Sequence, residues 1–201
     1  GLNIAKKENL REEPFLHCMA FNKSELGHQS EARDIYKLLV ETIKQRLKDL
    51  ESSKKLSSEE KLEEREELER DLSLTYNNLS ANQLDLEASS EIKGWMEESL
   101  SLFSNHMDKE DDYDIESYAI LLMTKADYLN AVGKRQDAKV LYQESLDIYK
   151  NLELLTPGDE LFAVSGSMEF LIEEERWKEA LEIMTEFSNK YEGLSLLFCN
   201  R

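Results

Sequence analysis

The sequence predicts an all-helical chain of repeated hairpins, and three observations carry that expectation. Turn-forming residues are scarce, with 2 Pro and 7 Gly in 201 residues, whereas strand-based folds need turns at regular intervals. Apolar residues recur at steps of three, four and seven over long stretches, which is the periodicity of a helix with one buried face. Finally, one set of small, Gly, Ala and aromatic positions occurs twice at the same spacing.

Taken along the chain, Tyr36, Leu39, Val40, Ile43, Leu47 and Leu50 form one continuous stripe. Ser57 followed by Glu60 has the spacing of a capping box and starts the next helix, which carries Leu68, Leu72, Tyr76, Leu79 and Leu86 in register. Within it, Glu59 to Asp71 contains eight acidic and three basic residues. Glu60/Glu64, Glu63/Glu67 and Glu67/Asp71 are like-charge i,i+4 pairs, so this stretch is expected to project into solvent. Asp108 to Glu116, with six carboxylates in nine residues, is expected to be a solvated linker. It lacks the central Gly and the closing Glu of a calcium loop. Thr156-Pro157-Gly158-Asp159-Glu160 ends one helix and opens another.

From Ala20, Gly27 follows after seven residues, Ala32 after twelve and Tyr36 after sixteen. From Ala126 the same offsets give Gly133, Ala138 and Tyr142. Two antiparallel helices approach closely only where small side chains meet at the crossing, and the Gly permits a tight turn at positive φ. The aromatic fills the space towards the next hairpin. Weaker copies place Ser80, Ile92, Met96 and Ser99 in one hairpin and Met168, Ala180, Met184 and Phe187 in another, with Glu175 where the Gly would be.

The lines Ala126-Asp-Tyr-Leu-Asn-Ala-Val-Gly133 and Ala138-Lys-Val-Leu-Tyr-Gln-Glu-Ser145 resemble a tetratricopeptide repeat. The resemblance implies an all-α fold, a right-handed superhelix (α-solenoid) of stacked antiparallel hairpins. It implies a single domain over 1–201 with about four repeats near 13–52, 57–106, 115–152 and 158–192. Residues 193–201 follow as a capping tail or the start of a further helix. The intervals Ala32 to Ile92, Ile92 to Ala138 and Ala138 to Ala180 are 60, 46 and 42 residues, longer than the usual ~34. They resemble the longer-helix repeats of kinesin light chain and of bacterial Rap-type regulators, with helices lengthened around residues 45–72.

In that family the first helix of each hairpin lines a concave groove. Alignment on Ala20, Ser80, Ala126 and Met168 then implies a partner-binding groove of His17, Phe21, Leu74, Asn77, Asn78, Ala81, Met123, Asp127, Asn130, Ser165, Glu169 and Ile172. The packing positions are Ala20, Gly27, Ala32, Tyr36, Ala126, Gly133, Ala138, Tyr142 and Ala180. The neighbours Asn77-Asn78 resemble paired Asn on inner helices of kinesin-light-chain-type repeats, where a carboxamide can bracket a peptide unit. The Lys, Arg and Asn clamp that some family members use for a C-terminal carboxylate has no counterpart here.

Composition narrows the partners. The balance of 25 basic against 43 acidic residues, net −18, argues against nucleic acid and anionic membranes, which are bound through cations. A basic or amphipathic segment of another protein or peptide fits instead. No apolar run is long enough to span a bilayer, so direct membrane insertion is not expected. Cys18 and Cys199 have neither metal-ligand nor redox spacing, and read as buried or incidental thiols of the cytoplasm or another reducing compartment. Gly1 to Glu13 is polar and holds no signal-peptide pattern, although a removed targeting segment stays open.

Catalysis is not expected, nor a cofactor or metal. His17, His28 and His106 give no ligand pair on one helical face, and adjacent His17 and Cys18 point about 100° apart on a helix. Ser165-Gly-Ser-Met is no nucleophile elbow. The expected function is a non-catalytic scaffold, adaptor or assembly factor; the alternative is a regulatory peptide- or ligand-sensing domain of a larger signalling protein. Leu194, Leu196, Leu197, Phe198 and Cys199 form an apolar tail that is expected to fold back as a cap, continue into a helix or pair with a second copy as a homo-oligomer.

Overall fold

The computed structural model describes residues 11–87, 89–108, 110–152 and 157–191, with the backbone alone at 85, 157–160, 162 and 163. The tail at 193–201, with Cys199, lies outside the described residues. Among these every regular element is a helix and none is a strand: α1 Glu13–Glu25, α2 Gln29–Ser52, α3 Ser58–Leu86, α4 Ser90–His106, α5 Asp112–Ala131, α6 Arg135–Asn151, α7 Pro157–Glu173 and α8 Trp177–Lys190. None is long and apolar enough to cross a membrane. The chain divides into two compact units, Gly1–Met107 with α1 to α4 and Asp108–Arg201 with α5 to α8.

In unit 1, Pro14 sits in the first turn of α1, where its missing N–H costs nothing. Ala20 and Ala32 are both fully buried at the crossing of α1 and α2. The α2 stripe packs as its spacing predicts, with Tyr36, Leu39, Val40, Ile43 and Leu50 buried and Leu47 against them. Ser57 and Glu60 form the capping box at the start of α3. At 24 and 29 residues, α2 and α3 are the longest described helices. They pair with Leu68, Leu72, Tyr76 and Leu79 in the same core, whereas Leu86 is exposed. Where α3 meets α4, Ser73 Oγ donates to the Ser99 carbonyl and Ser99 Oγ to the Ser73 carbonyl, each at 2.8 Å.

Unit 2 repeats this logic. Ala126 and Ala138 are fully buried in one cluster with Tyr142 and Phe170. Ser145 Oγ donates to the Ala119 carbonyl at 3.0 Å. Ser145 stands 26 residues after Ala119, as Ser99 stands 26 after Ser73, so the two crossings share one register. Gly166 lies against Tyr142, whose ring would be 3.1 Å from an added Cβ.

Three of the inter-helix turns are closed by one motif. Gly27 N donates to Ser24 O and His28 N to Lys23 O; Gly133 N to Asn130 O and Lys134 N to Leu129 O; Glu175 N to Ile172 O and Arg176 N to Leu171 O. This is the paired carbonyl capture of a Schellman ending, which requires a left-handed residue. Gly27, Gly133 and Glu175 supply it at φ of 77°, 81° and 58°.

Two sequence expectations are corrected. Glu59 to Asp71 does not simply project into solvent: Arg46 donates to Glu13 at 2.6 Å and to Glu64 at 2.5 Å, and His106 bonds Glu69. Charge counting along one helix misses these partners because they arrive from α2 and α4. Asp108 to Glu116 is not wholly a linker either. Asp111 caps α5 by accepting from Tyr113 N at 3.0 Å, and Asp112 and Asp114 sit in its first turn, where the helix dipole favours carboxylates.

Candidate functional site

On unit 1, the expected groove residues come from α1 and α3. His17, Leu74 and Asn78 are half-buried, while Phe21 and Ala81 are exposed. Asn77 is only 5% exposed and packs into the unit. The Asn78 amide nitrogen lies 3.1 Å from His17 Nε2. The two side chains hydrogen-bond across the seam between α1 and α3. Asn78 thus ties α3 to α1 before it meets any partner.

Below this pair, α1 and α3 frame a cleft of about 330 Å³ floored by Leu39 and Ile43 of α2. Glu13, Pro14, His17 and Cys18 form one wall, and Asp71, Leu74 and Thr75 form the other. Of the residues lining it, His17 and Leu74 are among those expected from the repeat register. Asp71 is not among them, although Asp71, Leu74 and Asn78 step by three and four along one face of α3, a spacing legible in the sequence. Of the two alternatives expected for the thiols, buried or incidental, Cys18 is not buried: it is exposed and lines the cleft.

The cleft's charges are unevenly matched. Glu13 is taken by Arg46, and Glu67 nearby by Arg11 at 2.6 Å. Among the described residues, no donor or cation pairs with the Asp71 carboxylate. Asp71 sits exposed at the cleft rim; partial desolvation there, then the Glu67 carboxylate, push its pKa up from 3.8, while Arg11 and His17 oppose the shift. Thr75 Oγ1 donates to the Asp71 carbonyl at 2.7 Å, which leaves its lone pairs free to accept.

On unit 2, the expected groove residues lie on α5 and α7. Met123 is half-buried beside Gly166, while Ser165, Glu169 and Ile172 are exposed. Asp127 accepts from Tyr142 Oη at 2.5 Å; burial of that phenol, then the Asp127 charge, push the Tyr142 pKa up. Asn130 Oδ1 is buried without a hydrogen-bond partner. A depression of about 890 Å³ lies instead along α6, around exposed Val140 and half-buried Ile148. Among the described residues, no three His, Cys, Asp or Glu side chains converge as metal ligands would.

These units are all-helical hairpin assemblies, and the first helices of their hairpins carry amides, carboxylates and apolar side chains. No family model, curated protein or solved structure is similar enough to match the chain.

Proposed function

We propose that the chain is a non-catalytic tetratricopeptide-type platform that holds a partner protein or peptide along the first helices of its hairpins. The observation that carries this reading is the recurrence of one hairpin geometry. Left-handed Schellman endings recur at Gly27, Gly133 and Glu175, each five residues before a buried Ala32, Ala138 or Ala180. A hairpin of that kind cannot bury its apolar faces alone, so consecutive copies stack, and the same reading implies a right-handed superhelical turn between them. Stacking leaves the first helices to line one surface. Exposed Phe21 and Ala81 are then the apolar contacts available to a partner, and the net charge of −18 selects a basic or amphipathic segment.

The test is site-specific photo-crosslinking in the native host cell. A photoreactive residue at Phe21 or Ala81 should capture one discrete partner. The same residue at Leu38, exposed on α2, should not. Capture from Leu38 alone would place the binding surface on the second helices and overturn the proposal.

A further inference from the structure

Within the partner surface just described, and resting on that reading, the unit 1 cleft has a more specific chemistry. Its floor and part of its walls are apolar, through Leu39, Ile43, Leu74 and Pro14. One side carries Asp71, whose carboxylate has no hydrogen-bond or ion-pair partner among the described residues: Glu13 holds Arg46, and the nearby Arg11 is bonded to Glu67. The His17 ring is hydrogen-bonded to Asn78 and forms no hydrogen bond or ion pair with Asp71 among the described residues. We propose that this cleft is a recognition pocket for one arginine side chain of an extended partner segment, with Asp71 as its counter-ion.

The fit is chemical as well as electrostatic. An arginine carries an apolar stem that packs along Leu74 and Pro14, and a planar, weakly hydrated head that can be bound bidentately by one carboxylate. The lone pairs of Thr75 Oγ1 offer a further acceptor one turn along from Asp71. At about 330 Å³ the cleft takes a single side chain and not a folded element. The Asp71 carboxylate, held above its ordinary pKa by desolvation and by the Glu67 and Glu13 charges, is stabilised when a guanidinium arrives.

Cys18 lines the same cleft and is exposed, so it reports occupancy directly. In a Cys199→Ser background it is the remaining thiol of the two in the chain. The rate of its alkylation by iodoacetamide is measured with the capped peptide Ac-Ala-Arg-Ala-NH2 and with the same peptide carrying citrulline, which keeps the shape and loses the charge. The arginine peptide should slow alkylation at millimolar concentration, and the citrulline peptide should not. Asp71→Asn should raise the half-protecting concentration about tenfold, which corresponds to about 1.4 kcal/mol.

A second variant covers the case in which Asp71→Asn perturbs the fold. Leu74→Arg places a guanidinium three residues from Asp71 on the same helix face, so it should slow Cys18 alkylation without peptide and abolish further protection. Equal protection by the citrulline peptide, or unchanged protection in Asp71→Asn, overturns the pocket. Crosslinks from Phe21 and Ala81 that persist while the arginine effect fails retain the partner surface and remove this pocket alone. Loss of the crosslinks removes the surface itself.

Discussion

Glu175 occupies, at a φ of 58°, the position that Gly27 and Gly133 fill at 77° and 81°. An L residue in the left-handed region carries about 1–2 kcal/mol of strain, whereas Gly carries none. Replacing Glu175 with Gly relieves that strain but loosens the unfolded chain by roughly 0.4–1 kcal/mol. Glu175→Gly should therefore stabilise by about 0.5 kcal/mol, and Gly133→Ala should destabilise by about 1 kcal/mol, both read from denaturant midpoints. The opposite ranking would mean that these turns are not held left-handed in solution. Asp71 makes a second residue-scale prediction. A carboxyl whose folded pKa is raised supports the fold in its protonated form. That contribution is complete below the unfolded pKa, near 3.9, and is lost as the pH rises through the folded value. At pH 7 the ionised Asp71 therefore weighs against folding, so Asp71→Asn should melt no lower than the parent. Its advantage should shrink as the pH falls towards 4. A variant that melts clearly lower at pH 7 would show that the carboxylate is paired in solution.

At the scale of elements, the helices were legible wherever one segment carries its own signal. The Ser57–Glu60 capping box, the α2 stripe and the Gly turns depend on residues a few positions apart, and the structure forms all of them. What the sequence concealed comes from elsewhere in the chain. Arg46 stands 33 residues from Glu13 and 18 from Glu64, and no helical periodicity links them. The cleft was half legible for the same reason: His17 and Leu74 follow from the repeat register, but the unmatched state of Asp71 depends on which arginines Glu13 and Glu67 have taken. Two substitutions separate these levels. Ala138→Leu forces a larger side chain into the crossing where Ala126 and Ala138 are fully buried, and should cost about 1–3 kcal/mol or more. Val140→Leu, two residues on but 63% exposed, should be near neutral. Arg46→Met leaves Glu13, 6% exposed, without its cation. Breaking a buried pair costs ~3–5 kcal/mol, and the partial exposure of Arg46 lowers the expectation to about 2–3 kcal/mol.

At the scale of the whole molecule, the two units carry separate cores. In unit 1, one cluster runs from Leu16 to Leu79 through α1, α2 and α3. In unit 2, the described core falls into two clusters, one around Tyr149 and Phe187 and one around Ala126 and Ala138. Burial within a unit is what makes its unfolding cooperative, so the chain is expected to unfold in two steps. Unit 1 should be the later one, because its long α2 and α3 share one continuous cluster across three helices. Calorimetry of the full chain tests this when the two substitutions above are used to label the transitions. Ala138→Leu should lower the first transition and leave the second in place. Arg46→Met should lower the second by several degrees, at roughly 4–8 °C per kcal/mol for a domain of this size, and leave the first unmoved until the two merge. A single transition lowered by both substitutions would show that the units fold as one cooperative body.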